Sequence, residues 1–325
     1  MAGAIKKVLV AGKVHPEGLR LLDERDDICY EMIDYPTAED FIDKLPACDG
    51  LLLRTMALPP AALEASSKLK VISRHGVGYD NVPVELASSM GIPVAIIDNV
   101  NAVAVAEHTL FMMLALAKQC TDYDRAVRQG DWAIQNTLAA TELWQKKVLL
   151  VGFGRIGFEV SKRLKAFDAD VCVYDPYLPD EKIAEYGVTR VDTLTDGVRQ
   201  ADYISLHVPK TPETQNLFDA QMLGLMKPGA FLINTARGGL IDESALVDAL
   251  QNKQIKGAGL DTVVNEPIPS DSPLVALGNL LLSPHSAGMT EECAARMGIS
   301  SAKNVLAAFD GTLKSELTVN RSALS

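Results

Sequence analysis

Short apolar runs alternate with amphipathic segments along most of the chain. In the first hundred residues the runs have the length of buried strands, and the segments between them have the length of short helices. The strand candidates are Val8–Ala11, Ile28–Ile33, Gly50–Leu53, Lys70–Ser73 and Val94–Ile97, and the helix candidates are Pro16–Glu24, Ala38–Leu45, Pro60–Ala65 and Val84–Met90. This alternation predicts a parallel sheet with helices on both faces.

A second series of apolar runs begins near residue 146. Its strand candidates are Val148–Val151, Val171–Tyr174, Tyr203–Leu206, Ala230–Ile233, Ala258–Leu260 and Leu280–Leu282. Between the two series lies Asn101–Lys118, a helix with so few polar residues that we expect it to be buried on most sides. A last helix, Glu291–Phe309, follows the second series.

The two series predict an α/β fold of two doubly wound parallel-sheet domains, each Rossmann-like or flavodoxin-like. The last helix is expected to return to the first domain and to make it discontinuous. We therefore predict one discontinuous domain of residues 1–99 plus 288–325 and a second domain of residues 100–287. The apolar helix region 101–119 is typical of a subunit interface, so a homodimer is expected.

The start of the second series carries a nucleotide-binding pattern. The run Val148–Val151 is followed by the residues GFGRIG, by a helix, and by a second strand that ends at Asp175. Gly152 would allow a sharp turn, Gly154 would let the backbone approach a pyrophosphate, and Gly157 would let helix pack on strand. A carboxylate at Asp175 would accept hydrogen bonds from a ribose diol and repel a 2′-phosphate, which favours NAD over NADP.

Composition narrows the range of partners. The chain has 31 basic and 42 acidic residues and a net charge of −11, so neither nucleic acid nor an anionic membrane is expected as a partner. The densest apolar helix segment, Leu110–Ala117, is too short to cross a bilayer, and the N-terminus lacks the pattern of a secretory signal. Five scattered cysteines without metal-ligand spacing fit reduced thiols, most of them buried. These features predict a soluble, cytoplasmic protein without a metal site.

Three residues in strand-end loops carry the expected chemistry. Arg237 follows a strand in a glycine-rich turn, where a guanidinium can bind a carboxylate bidentately and polarise a carbonyl. His285 also follows a strand, and an imidazole can give or take the proton that accompanies hydride transfer. Glu266 would hydrogen-bond the imidazole, favour its protonated form and fix its orientation. Because the carboxyl ends of parallel strands share one edge, we expect these side chains to converge.

Several further motifs occur in order along the chain. They are RHGVGYDNV, AVAEHTLFMMLALAK, VGFGRIG with YDP after it, HVPKTPETQNLF, MKPGAFLINTARGGLIDE, GLDTVVNEP and SPHSAG. On these motifs the chain resembles the D-isomer-specific 2-hydroxyacid dehydrogenase family over nearly its full length. The resemblance implies two Rossmann-like domains with catalysis in the cleft between them, an Arg–Glu–His triad at Arg237, Glu266 and His285, and usually a dimer.

The same resemblance implies NAD as the cofactor, along the carboxyl edge of the second sheet. The implied contacts are Gly152, Gly154, Arg155, Ile156, Asp175, Val208, Thr214, Thr235, Ala236 and Asp261. The loops after the predicted strands add His207, Pro209, Ala287 and Gly288 to this expected site.

Residues of the first domain bear on the substrate. Arg54 and Arg74 both follow apolar strands, where they could bind a second anionic group on C3 of a 2-oxoacid. The alternative is that they pair with acidic neighbours at the surface. Val77 and Gly78 lie in a loop whose backbone N–H groups could bind the substrate carboxylate. The two arginines make the chain most similar to the phosphoglycerate dehydrogenase branch of the family, in a short form without a regulatory domain. His75 departs from the small residue common in that branch, so phosphate, sulfonate and hydroxyl all stay open as the C3 group.

The predicted activity is therefore hydride transfer between NAD and C2 of a small 2-hydroxy or 2-oxo acid. A hydroxypyruvate/glyoxylate reductase and a sulfolactate-type dehydrogenase are alternatives within the family. Glu266 argues against a formate dehydrogenase, which lacks this partner of the histidine. An NADH-sensing scaffold without catalysis is the remote alternative. Among the other histidines, His108 is expected to be a satisfied core residue and His15 a surface residue.

Overall fold

The computed structural model describes residues 4–324. The chain divides into two compact units: unit 1 comprises Met1–Asn101 and Met289–Ser325, and unit 2 comprises Ala102–Gly288. The boundaries expected from the sequence, after residue 99 and after residue 287, lie within two residues of these.

Each unit is built on one sheet in which every strand pair is parallel. The strands of unit 1 are β1 (Lys6–Ala11), β2 (Ile28–Ile33), β3 (Gly50–Leu53), β4 (Val71–Arg74) and β5 (Val94–Ala95). Those of unit 2 are β6 (Lys147–Val151), β7 (Asp170–Tyr174), β8 (Thr189–Arg190), β9 (Tyr203–Leu206), β10 (Phe231–Asn234), β11 (Gly257–Leu260) and β12 (Leu280–Leu282). The strand orders are β2-β1-β3-β4-β5 and β12-β11-β10-β9-β6-β7-β8. The first is the flavodoxin-like order and the second extends the Rossmann order, so the predicted fold class is confirmed.

The α-helices lie between the strands and after them. They are α1 (Pro16–Asp23), α2 (Ala38–Lys44), α3 (Pro60–Glu64), α4 (Val84–Ser89), α5 (Ala102–Ala117), α6 (Cys120–Arg128), α7 (Arg155–Lys165), α8 (Asp180–Glu185), α9 (Leu194–Gln200), α10 (Ala220–Gly224), α11 (Glu243–Gln251) and α12 (Glu291–Phe309). Within residues 4–324, no helix is both long enough and apolar enough to span a membrane.

The sheets are buried because helices cover both of their faces. Strands β3, β4, β9, β10 and β11 have every residue buried, as continuous apolar runs predict. Helix α5 is largely buried too, although Val103 and Phe111 on it are 42% and 53% exposed. The five cysteines are free thiols, three of them buried, and Cys29 and Cys120 are exposed.

Helix α12 packs in unit 1, as the sequence predicts. Thr290 begins the helix by accepting a hydrogen bond from the backbone N–H of Cys293 on its hydroxyl. Its contact with α1 is close because glycines face each other: a Cβ added to Gly18 would lie 2.5 Å from the carbonyl carbon of Gly298. The absence of a side chain at Gly18 therefore sets the distance between the two helices.

We expect Gly18→Ala to lower the free energy of unfolding by about 1–3 kcal/mol, because the new methyl group would overlap backbone atoms, which cannot yield as a flexible side chain can. Chemical denaturation measures the change. Gly229→Ala is the matched control, since no described atom lies within 4 Å of a Cβ at that position. Equal stability of the Gly18 variant and the control would contradict the packing argument.

Candidate active site

In unit 2 the chain adds β7 and β8 on one side of β6 and then continues with β9 on the other side of β6. Gly152 lies at this switch point between β6 and β9. Gly152 follows β6 with a φ of +93°, and a Cβ there would lie 2.9 Å from the backbone carbonyl of His207, which follows β9. Only glycine satisfies both constraints. Ligands of open α/β sheets bind at such a reversal, beyond the carboxyl ends of the strands.

The other two glycines of the loop differ in their surroundings: Gly157 is closely packed and Gly154 faces open space. A Cβ on Gly157 would lie 2.5 Å from the carbonyl oxygen of Gly152, so Gly157 lets α7 approach the strand end. Gly154, the N-cap of α7, has no described atom within 4 Å of its Cβ position. An open cradle at the amino end of an 11-residue helix fits a pyrophosphate, which the helix dipole and unpaired N–H groups would bind.

Asp175 follows β7 and braces the same loop. One carboxylate oxygen accepts a hydrogen bond from Phe153 N at 2.8 Å, and the other accepts from Tyr177 N and Leu178 N at 3.0 and 3.3 Å. The carboxylate is therefore fixed beside the glycine loop, where a ribose diol would meet it.

The two ring nitrogens of His207 are buried in this region without a hydrogen bond. Neither ring nitrogen has a partner among the described residues. Burial lowers the pKa of His207 to about 3, so the imidazole is neutral. Buried polar atoms without partners are rare, and a bound cofactor is one way to satisfy them.

The remaining predicted cofactor contacts occupy the strand-end loops of unit 2. Val208 lies against Gly152, and the Thr214 hydroxyl donates to Pro209 O at 2.7 Å. Thr235 hydrogen-bonds Thr109 of α5 at 2.9 Å. The other predicted contacts, Arg155, Ile156, Ala236, Asp261, Ala287 and Gly288, lie in the first turn of α7 and in the loops after β10, β11 and β12.

Glu266 and His285 are in contact, although 19 residues separate them in the chain. His285 Nδ1 lies 2.7 Å from Glu266 Oε2, and the side chains are 44% and 38% exposed. His285 has a φ of +50°, a left-handed conformation that is uncommon for a residue with a side chain. The imidazole is thus fixed by one nitrogen, and its other nitrogen is left for a ligand.

The ionisation of Glu266 reflects this contact. Burial acts to raise the pKa of Glu266, but the hydrogen bond and positive charge of His285 and the backbone N–H of Val263 outweigh it, so the pKa lies below its usual range. Glu266 is therefore ionised near neutral pH, as a group that orients and stabilises an imidazolium must be.

Arg237 reaches the same region through the loop after β10. Its Nη1 donates to Ala236 O at 2.7 Å, and its own carbonyl accepts from Asn234 Nδ2 at 2.8 Å. A Cβ on the next residue, Gly238, would lie 2.0 Å from Val263 O. Gly238 therefore permits direct contact between the loop that carries Arg237 and the loop that carries Glu266.

In unit 1, the strand order reverses between β1 and β3, and Arg54 follows β3 at this point. A Cβ on Gly12, which follows β1 with a φ of +114°, would lie 2.6 Å from the Arg54 Cβ. Among the residues that the structure describes, the Arg54 guanidinium makes only long contacts, 3.5 Å to Lys13 O and 3.6 Å to the sulfur of Met289. These contacts do not include the surface ion pair that was the alternative for Arg54.

Arg74 and His75 are both buried, at 8% and 6% exposure. The Arg74 guanidinium donates to three main-chain carbonyls, those of Leu53 at 2.6 Å, Gly78 at 2.8 Å and Arg54. Arg74 thereby braces the loop that contains Val77 and Gly78. Burial, with the charges of Arg54 and Arg74, lowers the pKa of His75 to about 4, and its Nε2 has no partner among the described residues.

Known proteins are similar to this chain in sequence and in fold. Residues 110–287 match the family model for the NAD binding domain of D-isomer specific 2-hydroxyacid dehydrogenases. The chain is 37% identical to D-3-phosphoglycerate dehydrogenase of Methanocaldococcus jannaschii over 94% of this chain and 58% of that protein. It is 36% identical to glyoxylate reductase of Thermofilum pendens over 98% of this chain and 95% of that protein. A solved structure of the NADPH-dependent glyoxylate/hydroxypyruvate reductase of Sinorhizobium meliloti is 30% identical, with a TM-score of 0.86 over 98% of each chain.

The chain belongs to the D-isomer-specific 2-hydroxyacid dehydrogenase family. Unit 2 contains its NAD-binding domain. The chain spans somewhat more than half the length of the phosphoglycerate dehydrogenases that it matches.

The lowered pKa of Glu266 predicts a pH-dependent contribution to stability. A carboxyl group whose pKa is depressed by folding stabilises the folded state above its ordinary value of 4.5, and the contribution is lost as the pH falls through the folded value. The difference in unfolding free energy between the wild type and Glu266→Gln should therefore be largest above pH 4.5 and shrink below it. Denaturation curves at several pH values measure the difference, and a constant difference across the acid range would refute the argument.

Proposed function

We propose that this protein is an NAD-dependent oxidoreductase that acts on C2 of a small 2-hydroxy or 2-oxo acid with an anionic C3 group, such as 3-phosphoglycerate and 3-phosphohydroxypyruvate. The contact between Glu266 and His285 carries the proposal, because it places an oriented acid–base group in the unit that contains the NAD-binding domain. A non-catalytic NADH sensor would have no use for an ionised carboxylate paired to an imidazole.

Each residue of the triad has a separate task. NAD supplies the hydride acceptor, or NADH the donor, when bound. His285 holds the proton at Nε2 and gives it to the C2 oxygen during reduction, or removes it during oxidation. Glu266 accepts the hydrogen bond from Nδ1, which keeps the proton donor facing the substrate. Arg237 binds the substrate carboxylate and polarises the C2 carbonyl.

Preference for NAD over NADP follows from Asp175. Its carboxylate is anchored by three backbone N–H groups beside the glycine loop, so it cannot turn away easily from a 2′-phosphate. Desolvating a phosphate next to a fixed carboxylate is unfavourable.

The substrate assignment within the family rests on Arg54. Its guanidinium has only long contacts, and an anionic group on C3 would give it a partner. Arg74, held by three carbonyls, would add positive charge and hold the Val77–Gly78 loop for the substrate carboxylate. Similarity to phosphoglycerate dehydrogenases supports this choice.

A hydroxypyruvate or glyoxylate reductase is the second candidate. The similarity to a glyoxylate reductase extends over nearly the whole of both proteins. His75 also favours it, because its buried, neutral Nε2 could accept a hydrogen bond from a C3 hydroxyl. A sulfolactate-type dehydrogenase would instead use Arg54 for a sulfonate.

We also propose a homodimer through the 101–119 region, in the cytoplasm. Val103 and Phe111 of α5 are exposed apolar residues, and Trp132 and Leu138, in the segment after α6, are 70% and 86% exposed. Exposed apolar residues of this size are typical of interfaces. Free thiols fit a reducing compartment.

His285→Ala should lower kcat for 2-oxoacid reduction by about 100-fold or more, because the C2 oxygen loses its proton donor. NADH binding, followed by fluorescence titration, should change little. Unchanged turnover would remove His285 from the mechanism, and loss of NADH binding would show that the substitution disturbs the cofactor site instead.

Arg54→Ala should raise KM for 3-phosphohydroxypyruvate and 3-sulfopyruvate by about 10–100-fold, the value of a hydrogen bond to a charged group. The KM values for hydroxypyruvate and glyoxylate should stay within about threefold of wild type. Steady-state kinetics with NADH measure both. Arg20→Ala, at an exposed ion pair on α1, is the control. An equal effect on all four substrates, or none, would exclude an anionic C3 group as the partner of Arg54.

A further inference from the structure

The loop that carries His285 is held by one buried carboxylate. Asp261, 2% exposed, accepts hydrogen bonds from Ser286 N at 2.8 Å and Ala287 N at 3.0 Å on the far side of His285. On the near side it accepts from the Ser283 hydroxyl. The backbone N–H of His285 itself donates to Asp261 O at 2.8 Å. These bonds fix the left-handed backbone of His285, a conformation that the chain would not keep without support.

His108 of α5 completes this arrangement. Its Nε2 lies 2.9 Å from the Ser283 hydroxyl and 3.7 Å from Asp261 Oδ1. The Ser283 hydroxyl has one proton, which it donates to the carboxylate, so towards His108 its oxygen must accept. Nε2 of His108 is therefore protonated. The result is a directed chain from His108 Nε2–H to the Ser283 hydroxyl and on to the Asp261 carboxylate.

Helix α5, which carries His108, is held in position by close packing against the sheet. A Cβ on Gly259 of β11 would lie 3.2 Å from Met112, so the helix lies close against the sheet. Thr109, next to His108, hydrogen-bonds Thr235 at 2.9 Å, and Thr235 lies two residues before Arg237. Two consecutive residues of α5 thus reach the loops of two proposed catalytic side chains.

We propose that His108 and Ser283 are positioning residues for the reaction, which hold the His285 loop against α5 through the Asp261 carboxylate. The inference rests on the proposed function for its kinetic consequence, but the structural role can be measured without turnover. Cooperative hydrogen bonds around a buried carboxylate fix a loop more firmly than the carboxylate alone. Removal of the first donor should then loosen the loop at Ser286 and Ala287, whose N–H groups bond the Asp261 carboxylate and not His108.

The test compares His108→Leu with His108→Gln. Leucine removes the donor, while the glutamine Nε2–H can take its place. In His108→Leu, kcat for 2-oxoacid reduction should fall about 10-fold with little change in KM for NADH, because the proton donor is misplaced. Amide hydrogen exchange at Ser286 and Ala287 should be faster by about 10-fold. His108→Gln should stay within about threefold of wild type in all these measurements.

His15→Leu is the matched control. Its Nε2 hydrogen-bonds Glu291 at 3.1 Å and its Nδ1 caps α1, all within unit 1. This variant should lose stability, as loss of a helix cap does, but keep its kcat and the exchange rates at Ser286 and Ala287.

Two results would overturn the inference. One is a His108→Leu protein with unchanged kcat and amide exchange. The other is a His108→Gln protein as impaired as His108→Leu, which would make the shape of the histidine, not its hydrogen bond, responsible. If the wild type turns over no 2-oxoacid, the proposed function fails, and the exchange rates alone decide whether the His108 chain holds the loop.

Discussion

Loops that follow neighbouring strands come so close together in this protein that a side chain on the glycine of one loop would overlap atoms of the other. The contacts are Gly12 against Arg54, Gly152 against His207, and Gly238 against Val263. All three follow from the parallel sheet, because parallel strands deliver their carboxyl ends, and hence their loops, to one edge. Crowding at that edge brings together residues that are distant in the chain, and glycine makes the crowding sterically possible.

Burial separates the histidines into different chemical classes. Burial alone lowers the pKa of His207 to about 3. Burial together with the charges of Arg54 and Arg74 lowers the pKa of His75 to about 4, so both imidazoles stay neutral at physiological pH. His285 is 44% exposed and paired with an ionised carboxylate. A side chain that must exchange protons with a substrate needs the second environment, while a neutral imidazole in the first can serve only as a hydrogen-bonding group.

The apolar pattern predicted most strands within one or two residues, because a strand covered on both faces needs a continuous run. It missed β8, which has only two residues, α6, which is polar over most of its length, and the helices α8, α9, α10 and α11. The contact between Glu266 and His285 followed from their places after adjacent strands. The hydrogen bond between His108 and Ser283 could not be predicted in this way, since the two residues are 175 positions apart and only the fold brings them together. The sequence likewise could not distinguish Arg54 from Arg74, because their difference lies in which carbonyls they reach.

That difference bears on how a substrate would be selected. Arg74 donates from Nε and Nη1 to three carbonyls, so its charge is fixed in place and changes little with the ligand. Arg54 makes only two long contacts to described residues, of 3.5 Å and 3.6 Å, that a substrate would displace. Its interaction energy therefore improves more than that of Arg74 when a new anionic partner binds. A fixed charge contributes to the binding of every anionic substrate alike, because its field is present whichever group arrives. Discrimination between C3 groups must then come from the residue whose interactions change on binding, and in unit 1 Arg54 meets that condition better than Arg74 does.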